Sequence, residues 1–375
     1  MSAKTRFSAI DAIEPRTWVE IKKAALRHNY DAVRRRLAKG ALLMAVVKSN
    51  AYGHGLTGAA KIFSEGGAEW LAVDGLEEAA ELKAAGITAP VIVLGATLPE
   101  NFRAAAAMGI TITVSTRVWL EAIARMAKSP KFHLKIDTGM HRQGFLPLEI
   151  GRVIEIIKRQ KGAREALTGI YTHFAAAKDP IYPYFTEQQF EEFMRVAELF
   201  KRAGFINLFR HCAASAGTLL NKKYHLDGVR VGMALYGYFP SREIEAALGE
   251  EIKLKPAMDW KAVITEVKDV PDGAYVGYDL TERLRGKRKL AVVPVGYWHG
   301  LPRTLSSRGR FVVKGKPVRI VGRVSMDMTV IDVTGIAVAV GDEAIFDIQH
   351  GIDTSEMIPY EFLSRINPLI ERRYI

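Results

Sequence analysis

Ala41-Leu42-Leu43-Met44-Ala45-Val46-Val47 is an unbroken apolar run that stops at Lys48 and gives way to the polar, Gly-punctuated turn Ser49-Asn50-Ala51-Tyr52-Gly53-His54-Gly55. A run with no polar alternation has no face to offer water, so it reads as a strand buried on both sides, as in a parallel sheet. Runs of the same kind recur at Trp70–Val73, Val91–Leu94, Ile110–Val114, Phe132–Ile136, Leu167–Tyr171, Leu208–His211 and Gly228–Val231. Between them lie segments with helical spacing, among them Glu77–Ala85, Arg117–Ala127, Glu149–Arg159 and Glu187–Ala203. Eight strands alternating with helices predict an α/β fold of the (β/α)8 barrel type. A doubly wound sheet is the rival, but no G-x-G-x-x-G follows the first strand.

On the N-terminal side, Thr17–Ile21 reads as a strand and Lys22–Lys39 as a helix that Gly40 ends. From about Leu248 the spacing turns to β: Trp260–Val267, Leu290–Val295, Phe311–Val313, Val318–Val321, Met328–Val333 and Glu343–Asp347, with a last helix near Tyr360–Ile366. The expected organisation is an N-terminal strand segment (1–21), a barrel (22–247) and an all-β C-terminal domain (248–375).

The 375 residues exceed one ordinary core and suit a barrel plus a second domain. No apolar stretch reaches the ~20 residues of a spanning helix, and the start Met1–Phe7 lacks the apolar core of a signal peptide. A single cysteine, Cys212, rules out an intrachain disulfide. A cytoplasmic location is the expectation. The net charge of +12 raises nucleic acid as a partner, but no helix-turn-helix, finger spacing or long basic tail accompanies it, so no nucleic-acid, membrane or metal binding is expected. Positive charge also suits an anionic cofactor and a carboxylate substrate.

A lysine at the dry end of a buried strand loses solvation, which favours the neutral, nucleophilic amine. Such an amine can attach covalently to an aldehyde cofactor. The segment Ala45–Gly55 resembles the cofactor-lysine segment of alanine racemases, with Ser49 in place of the common alanine. Lys135-Ile136-Asp137-Thr138-Gly139-Met140-His141-Arg142-Gln143-Gly144 resembles that family's K-x-D-T-G-M-x-R-x-G, with His141 and Gln143 as departures. Thr172-His173-Phe174-Ala175, Ala214-Ser215 and Arg230-Val231-Gly232-Met233 follow in the family's order, with Ala214 where asparagine is usual. In the second domain, Val276-Gly277-Tyr278, Val293–Arg303 (His299 replacing aspartate) and Gly322-Arg323-Val324-Ser325-Met326-Asp327 continue it.

The resemblance implies a pyridoxal 5'-phosphate-dependent racemase of fold type III that interconverts L- and D-alanine with two bases. It implies Lys48 as the cofactor lysine and the base for the D face, and Tyr278 as the base for the L face. Tyr275 competes with Tyr278 for that role. Tyr52, Ser215, Gly232 and Met233 would hold the phosphate, and Arg230 would face the pyridine nitrogen, with His173 linking it to the tyrosine. Arg142 would bind the substrate carboxylate, Met326 and Asp327 would line the substrate site, and Lys135 matches a lysine that is carbamylated in some members. The family's C-terminal phosphate tyrosine aligns at best with Pro368 and is not assigned. The tyrosine and the Met-Asp loop come from the partner in the family, which implies a homodimer with shared sites. The alternatives are a racemase of serine or another small amino acid, and a non-enzymatic pyridoxal-phosphate barrel protein. Residues 248–375 argue against the second.

Overall fold

The computed structural model describes residues 13–179 and 181–375, so the reading of Met1–Phe7, like the first part of the 1–21 segment, lies outside the described residues. The described residues divide into two compact units: Lys23–Ala257, and residues 13–22 joined with Met258–Ile375.

After β1 (Thr17–Ile21), which belongs to the smaller unit, come the eight strands of the larger one. They are β2 (Leu42–Val46), β3 (Trp70–Val73), β4 (Val91–Ala96), β5 (Thr111–Val114), β6 (Phe132–Lys135), β7 (Leu167–Tyr171), β8 (Phe209–His211) and β9 (Gly228–Val231). All ladders between them are parallel, in the order β8-β7-β6-β5-β4-β3-β2-β9. The seam between β9 and β8 is closed by Asp227 N–H to Arg210 O (3.1 Å) and Arg230 N–H to Ala213 O (3.0 Å). The ring is therefore the expected barrel. Every residue of β5, β6 and β9 is buried, which is why these strands are written as continuous runs rather than alternating ones.

The smaller unit continues with β10 (Met258–Val263), β11 (Glu266–Val270), β12 (Tyr275–Val276), β13 (Glu282–Arg283), β14 (Arg288–Val293), β15 (Arg310–Val313), β16 (Lys316–Arg319), β17 (Thr329–Asp332), β18 (Glu343–Phe346) and β19 (Glu371–Tyr374). Six strands form one sheet, β16-β15-β18-β10-β1-β19; three form another, β11-β14-β17; β12 and β13 make a hairpin. The hairpin packs through Val276 and Leu284 against Leu290 and Val321. The unit also carries two short helices, Ile348–Ser355 and Pro359–Ser364.

Three expectations on organisation are corrected. The N-terminal strand is no separate segment: β1 pairs antiparallel with β10 and parallel with β19. The unit boundary falls at Ala257–Met258 rather than at 247–248, because buried Asn29 clamps the connecting chain. Its amide donates to Lys255 O (2.8 Å) and Leu235 O (3.2 Å) and accepts from Lys255 N–H (2.8 Å). The run Trp260–Val267 is two strands. Ile264 N–H bonds Asp342 O and Thr265 N–H bonds Val292 O, and the chain passes there from the six-stranded sheet to the three-stranded one.

Candidate active site

Lys48 stands at the C-terminal end of β2, where barrel sites are built. The four residues after it, Ser49, Asn50, Ala51 and Tyr52, all have positive φ (55°, 54°, 52° and 52°), a left-handed turn made without glycine. Each such residue costs about 1–2 kcal/mol, and strain of this kind persists where the surroundings over-determine it. Here Ala51 N–H bonds Val47 O, Gly55 N–H bonds Asn50 O, and the Asn50 side chain accepts Leu56 N–H at 2.9 Å. Glu78 accepts both Asn50 N–H (3.2 Å) and Asp74 N–H (2.9 Å), fastening the turn to the next βα loop. The dry environment expected for Lys48 is not found. Its side chain is 35% exposed and its Nζ pairs with Asp74 Oδ1 at 2.9 Å. The amine is held instead by a carboxylate on the neighbouring strand end.

The turn aims Tyr52 at the loops after β8 and β9. A Cβ on Gly232 would lie 2.6 Å from the Tyr52 hydroxyl, so only glycine leaves that space open. Gly232 N–H donates to Ser215 Oγ (3.1 Å), and Ser215 begins the helix Ser215–Leu220. Buried Met233 begins the one-turn helix Met233–Tyr236. Tyr52, Ser215, Gly232 and Met233 are thus brought together at two helical N-termini, a donor set that fits a phosphate.

Arg230, on β9, is buried inside the barrel. One Nη donates to His211 Nδ1 (2.6 Å) and His211 O (3.2 Å); the other donates to Thr172 O (2.7 Å), Cys212 O (3.0 Å) and His173 Nδ1 (3.3 Å). A guanidinium cannot accept, so the His211 proton sits on Nε2 and donates to His133 Nδ1 at 2.9 Å. These three imidazoles are held neutral. Burial and then Arg230 push His173 and His211 well below the usual range, and His133 down to about 3. Lys135, Arg142 and Lys48 also bear on His173, so four basic side chains converge on this end of the barrel.

Lys135 ends β6, buried, with its amine 4.4 Å above the Tyr171 ring. Burial, then Arg230 and Arg142, pushes its amine well below the ordinary lysine range. Asp137 accepts backbone N–H bonds from Gly139 (3.0 Å), Met140 (2.9 Å), His141 (2.9 Å) and Arg142 (3.0 Å). One carboxylate therefore shapes the loop that presents the exposed Arg142.

In the smaller unit Tyr278 tips the hairpin, 68% exposed. Next to it, Asp279 pairs with Arg323 (3.3 Å) and Arg303 (3.6 Å). The competing Tyr275 lies under Arg283, whose guanidinium is 5.8 Å from its ring centre. Tyr297 N–H bonds Ser325 O and Trp298 N–H bonds Met326 O. A Cβ on Gly296 would lie 2.3 Å from both of those carbonyls, so glycine is required for the approach. The turns carrying Tyr278 and Met326-Asp327 are joined through Arg323.

Two family models span nearly the whole chain: alanine racemase, N-terminal domain, over residues 21–240, and alanine racemase, C-terminal domain, over 257–374. The chain belongs to the alanine racemase family. An alanine racemase of Desulforamulus reducens is 39% identical, covering 96% of this chain and 98% of that protein. Alanine racemase 2 of Caldanaerobacter subterraneus subsp. tengcongensis is 37% identical over 97% and 96%. Among solved structures, the alanine racemase of Streptomyces lavendulae superposes with a TM-score of 0.89 at 34% identity (97% of this chain, 98% of that one). That of Bacillus anthracis with bound L-Ala-P gives 0.90 at 32% identity (97% and 96%). No helix among the described residues is long and apolar enough to cross a membrane.

Two departures from the alanine racemase pattern have local explanations. His141 occupies a left-handed position (φ 53°) and stays exposed while its N–H serves Asp137. Buried His299 accepts Gly296 N–H at 3.1 Å, holding the turn as an acceptor. Ala214 precedes the Ser215 helix and gives it no side-chain cap, and nothing in the structure explains the alanine. Sequence reading missed Asp74, Glu78, Gln189 and the His133–His211 pair. Each is an ordinary polar residue in its own segment and acquires a role only through a partner from another strand or helix.

Proposed function

We propose that this chain is a pyridoxal-phosphate-dependent racemase of alanine. The observation that carries the proposal is the corner where Tyr52, Ser215 and Gly232 meet, one turn from Lys48: hydroxyl and amide groups around a space that a single Cβ would fill. Tyr52, Ser215, Gly232 and Met233 would hold the cofactor phosphate, and Lys48 its aldehyde carbon. When bound, pyridoxal phosphate spreads the negative charge left by loss of the substrate Cα proton.

The chain's own residues do the rest. Arg142 receives the substrate carboxylate as a planar fork. The Lys48 amine takes and returns the Cα proton on the D face, and the Tyr278 hydroxyl does so on the L face. Arg230, donating to five protein acceptors, can offer the pyridine nitrogen a hydrogen bond but no proton. Its neutral partner His173 carries a proton on Nε2 for the tyrosine. Met326 and Asp327 line the substrate side. The Lys135 amine, pushed well below the ordinary lysine range by burial and then by Arg230 and Arg142, is poised to add to carbon dioxide; loss of its proton leaves a carbamate anion that would pair with Arg142. Lys48 and Tyr278 lie on separate compact units, which supports a homodimer in which each barrel meets the Tyr278 unit of the partner.

The test is incubation with L-alanine, and separately D-alanine and L-serine, in the presence of pyridoxal phosphate, followed by chiral analysis. Convergence of both alanine enantiomers to one ratio is expected, with borohydride fixing the cofactor on the Lys48 peptide. Failure to racemise alanine, or labelling of another lysine alone, overturns the proposal.

A further inference from the structure

Gln189 lies in the second turn of the helix Tyr184–Arg202 and is buried, although the helix is otherwise an outer element of the barrel. Its Oε1 accepts Ala175 N–H at 2.8 Å. Its Nε2 donates to His173 O (3.3 Å) and to Thr138 Oγ1 (3.4 Å). The amide orientation is fixed by these partners: a backbone N–H can only donate and a carbonyl only accept. Thr138 in turn bonds Thr172 Oγ1 at 2.8 Å. Thr138 belongs to the loop that Asp137 shapes around Arg142, whereas His173 and Ala175 belong to the loop after β7.

We infer that Gln189 is a positioning residue: its one amide ties the Arg142 loop to the His173 loop and sets the spacing between the group that receives the substrate carboxylate and the imidazole beside Arg230. It touches neither substrate nor cofactor. The two loops share no ladder of their own beyond the barrel strands, since parallel pairing ends at Lys135–Tyr171. Past that point the Thr138–Thr172 bond and the Gln189 amide carry the registration. This role rests on the reading of Arg142 and His173 given above.

The experiment compares Gln189→Leu, Gln189→Glu and Thr138→Val with the wild type. Gln189→Glu keeps the shape and the bond from Ala175 but loses both donated bonds; Thr138→Val removes only the hydroxyl between the loops. The readouts are KM and kcat for alanine, the inhibition constant of propionate, which has the carboxylate but no amine, and amide exchange in peptides spanning 138–144 and 172–176. KM and the propionate constant are expected to rise together by about five- to fiftyfold in Gln189→Leu, the share of its three lost buried hydrogen bonds that is felt as loop spacing, and by less in the other two. Exchange should quicken in both loops. If Gln189→Leu does not fold, Gln189→Glu and Thr138→Val carry the same comparison. Unchanged KM and propionate constants, with only a lower kcat or melting temperature, overturn the inference and leave Gln189 a packing residue. If the wild type does not racemise alanine, the functional reading fails instead, and the exchange data alone decide whether Gln189 couples the loops.

Discussion

Gly232 shows how much a single missing side chain decides. Its φ of −115° is not the left-handed conformation that favours glycine. The obstacle is the Tyr52 hydroxyl at 2.6 Å and its ring carbon at 3.1 Å. Tyr52 cannot retreat cheaply, because its ring packs against buried Tyr236 with centroids 5.2 Å apart. Overpacking of this sort costs about 1–3 kcal/mol, or about five- to hundredfold in a dissociation constant. Gly232→Ala should therefore weaken pyridoxal phosphate by up to that factor in a titration of the cofactor-free protein, with the melting temperature falling by a few degrees. Unaltered affinity would mean that this corner is not the phosphate seat. The residue motifs were legible because each is a contiguous string. The surroundings of Lys48 were not: the apolar run predicts a dry amine, and only the fold reveals Asp74 beside it.

At the scale of elements, the loop from Asp137 to Arg142 is a carboxylate wrapped in four N–H groups. Burial opposes ionisation of Asp137, but the bonds from His141, Gly139, Arg142 and Met140 together hold its carboxyl below the usual range. A depressed carboxyl stabilises the fold fully above its unfolded value of about 3.9 and loses that contribution as pH falls through the lower folded value. Asp137→Asn keeps one acceptor oxygen and drops the charge. It should be destabilised by about 1–3 kcal/mol at pH 7, with the gap to wild type closing as pH falls below about 4. Denaturant midpoints at pH 7, 5 and 3 check this; a gap constant with pH would deny the ionised form its part. The barrel strands were legible because burial on both faces writes an unmistakable run, and all eight lie within or beside the expected spans. The smaller unit was less so. β19, Glu371–Tyr374, is polar and reads as a tail, yet it completes the six-stranded sheet by pairing with β1, more than three hundred residues earlier. The helix Ile348–Ser355 follows β18 with only Asp347 between, whose side chain caps it by accepting His350 N–H at 3.0 Å. Sheet membership depends on partners remote in sequence, and local periodicity carries no record of them.

At the scale of the whole molecule, the smaller unit exposes Tyr275, Tyr278, Leu280, Tyr297, Trp298, Met326 and Met328, each about half exposed or more save Tyr297 at 44%. Apolar groups clustered on that scale mark a surface built to be covered. The cluster includes the proposed Tyr278 base and the Met326 turn, so whatever covers it meets the chemistry. In the proposed homodimer a second copy would bring its Lys48 barrel to this face, and both bases would serve one site. Lys48→Ala and Tyr278→Phe should each be inactive alone. Mixed in equal amounts and allowed to exchange subunits, half of the dimers would pair one of each. Every such mixed dimer holds one site with both bases and one with neither, so activity should return to about a quarter of wild type if sites act independently. Exchange is verified by the mass of the mixed dimer. Its formation without recovered activity would place both bases in one chain and leave the exposed aromatic face to another partner.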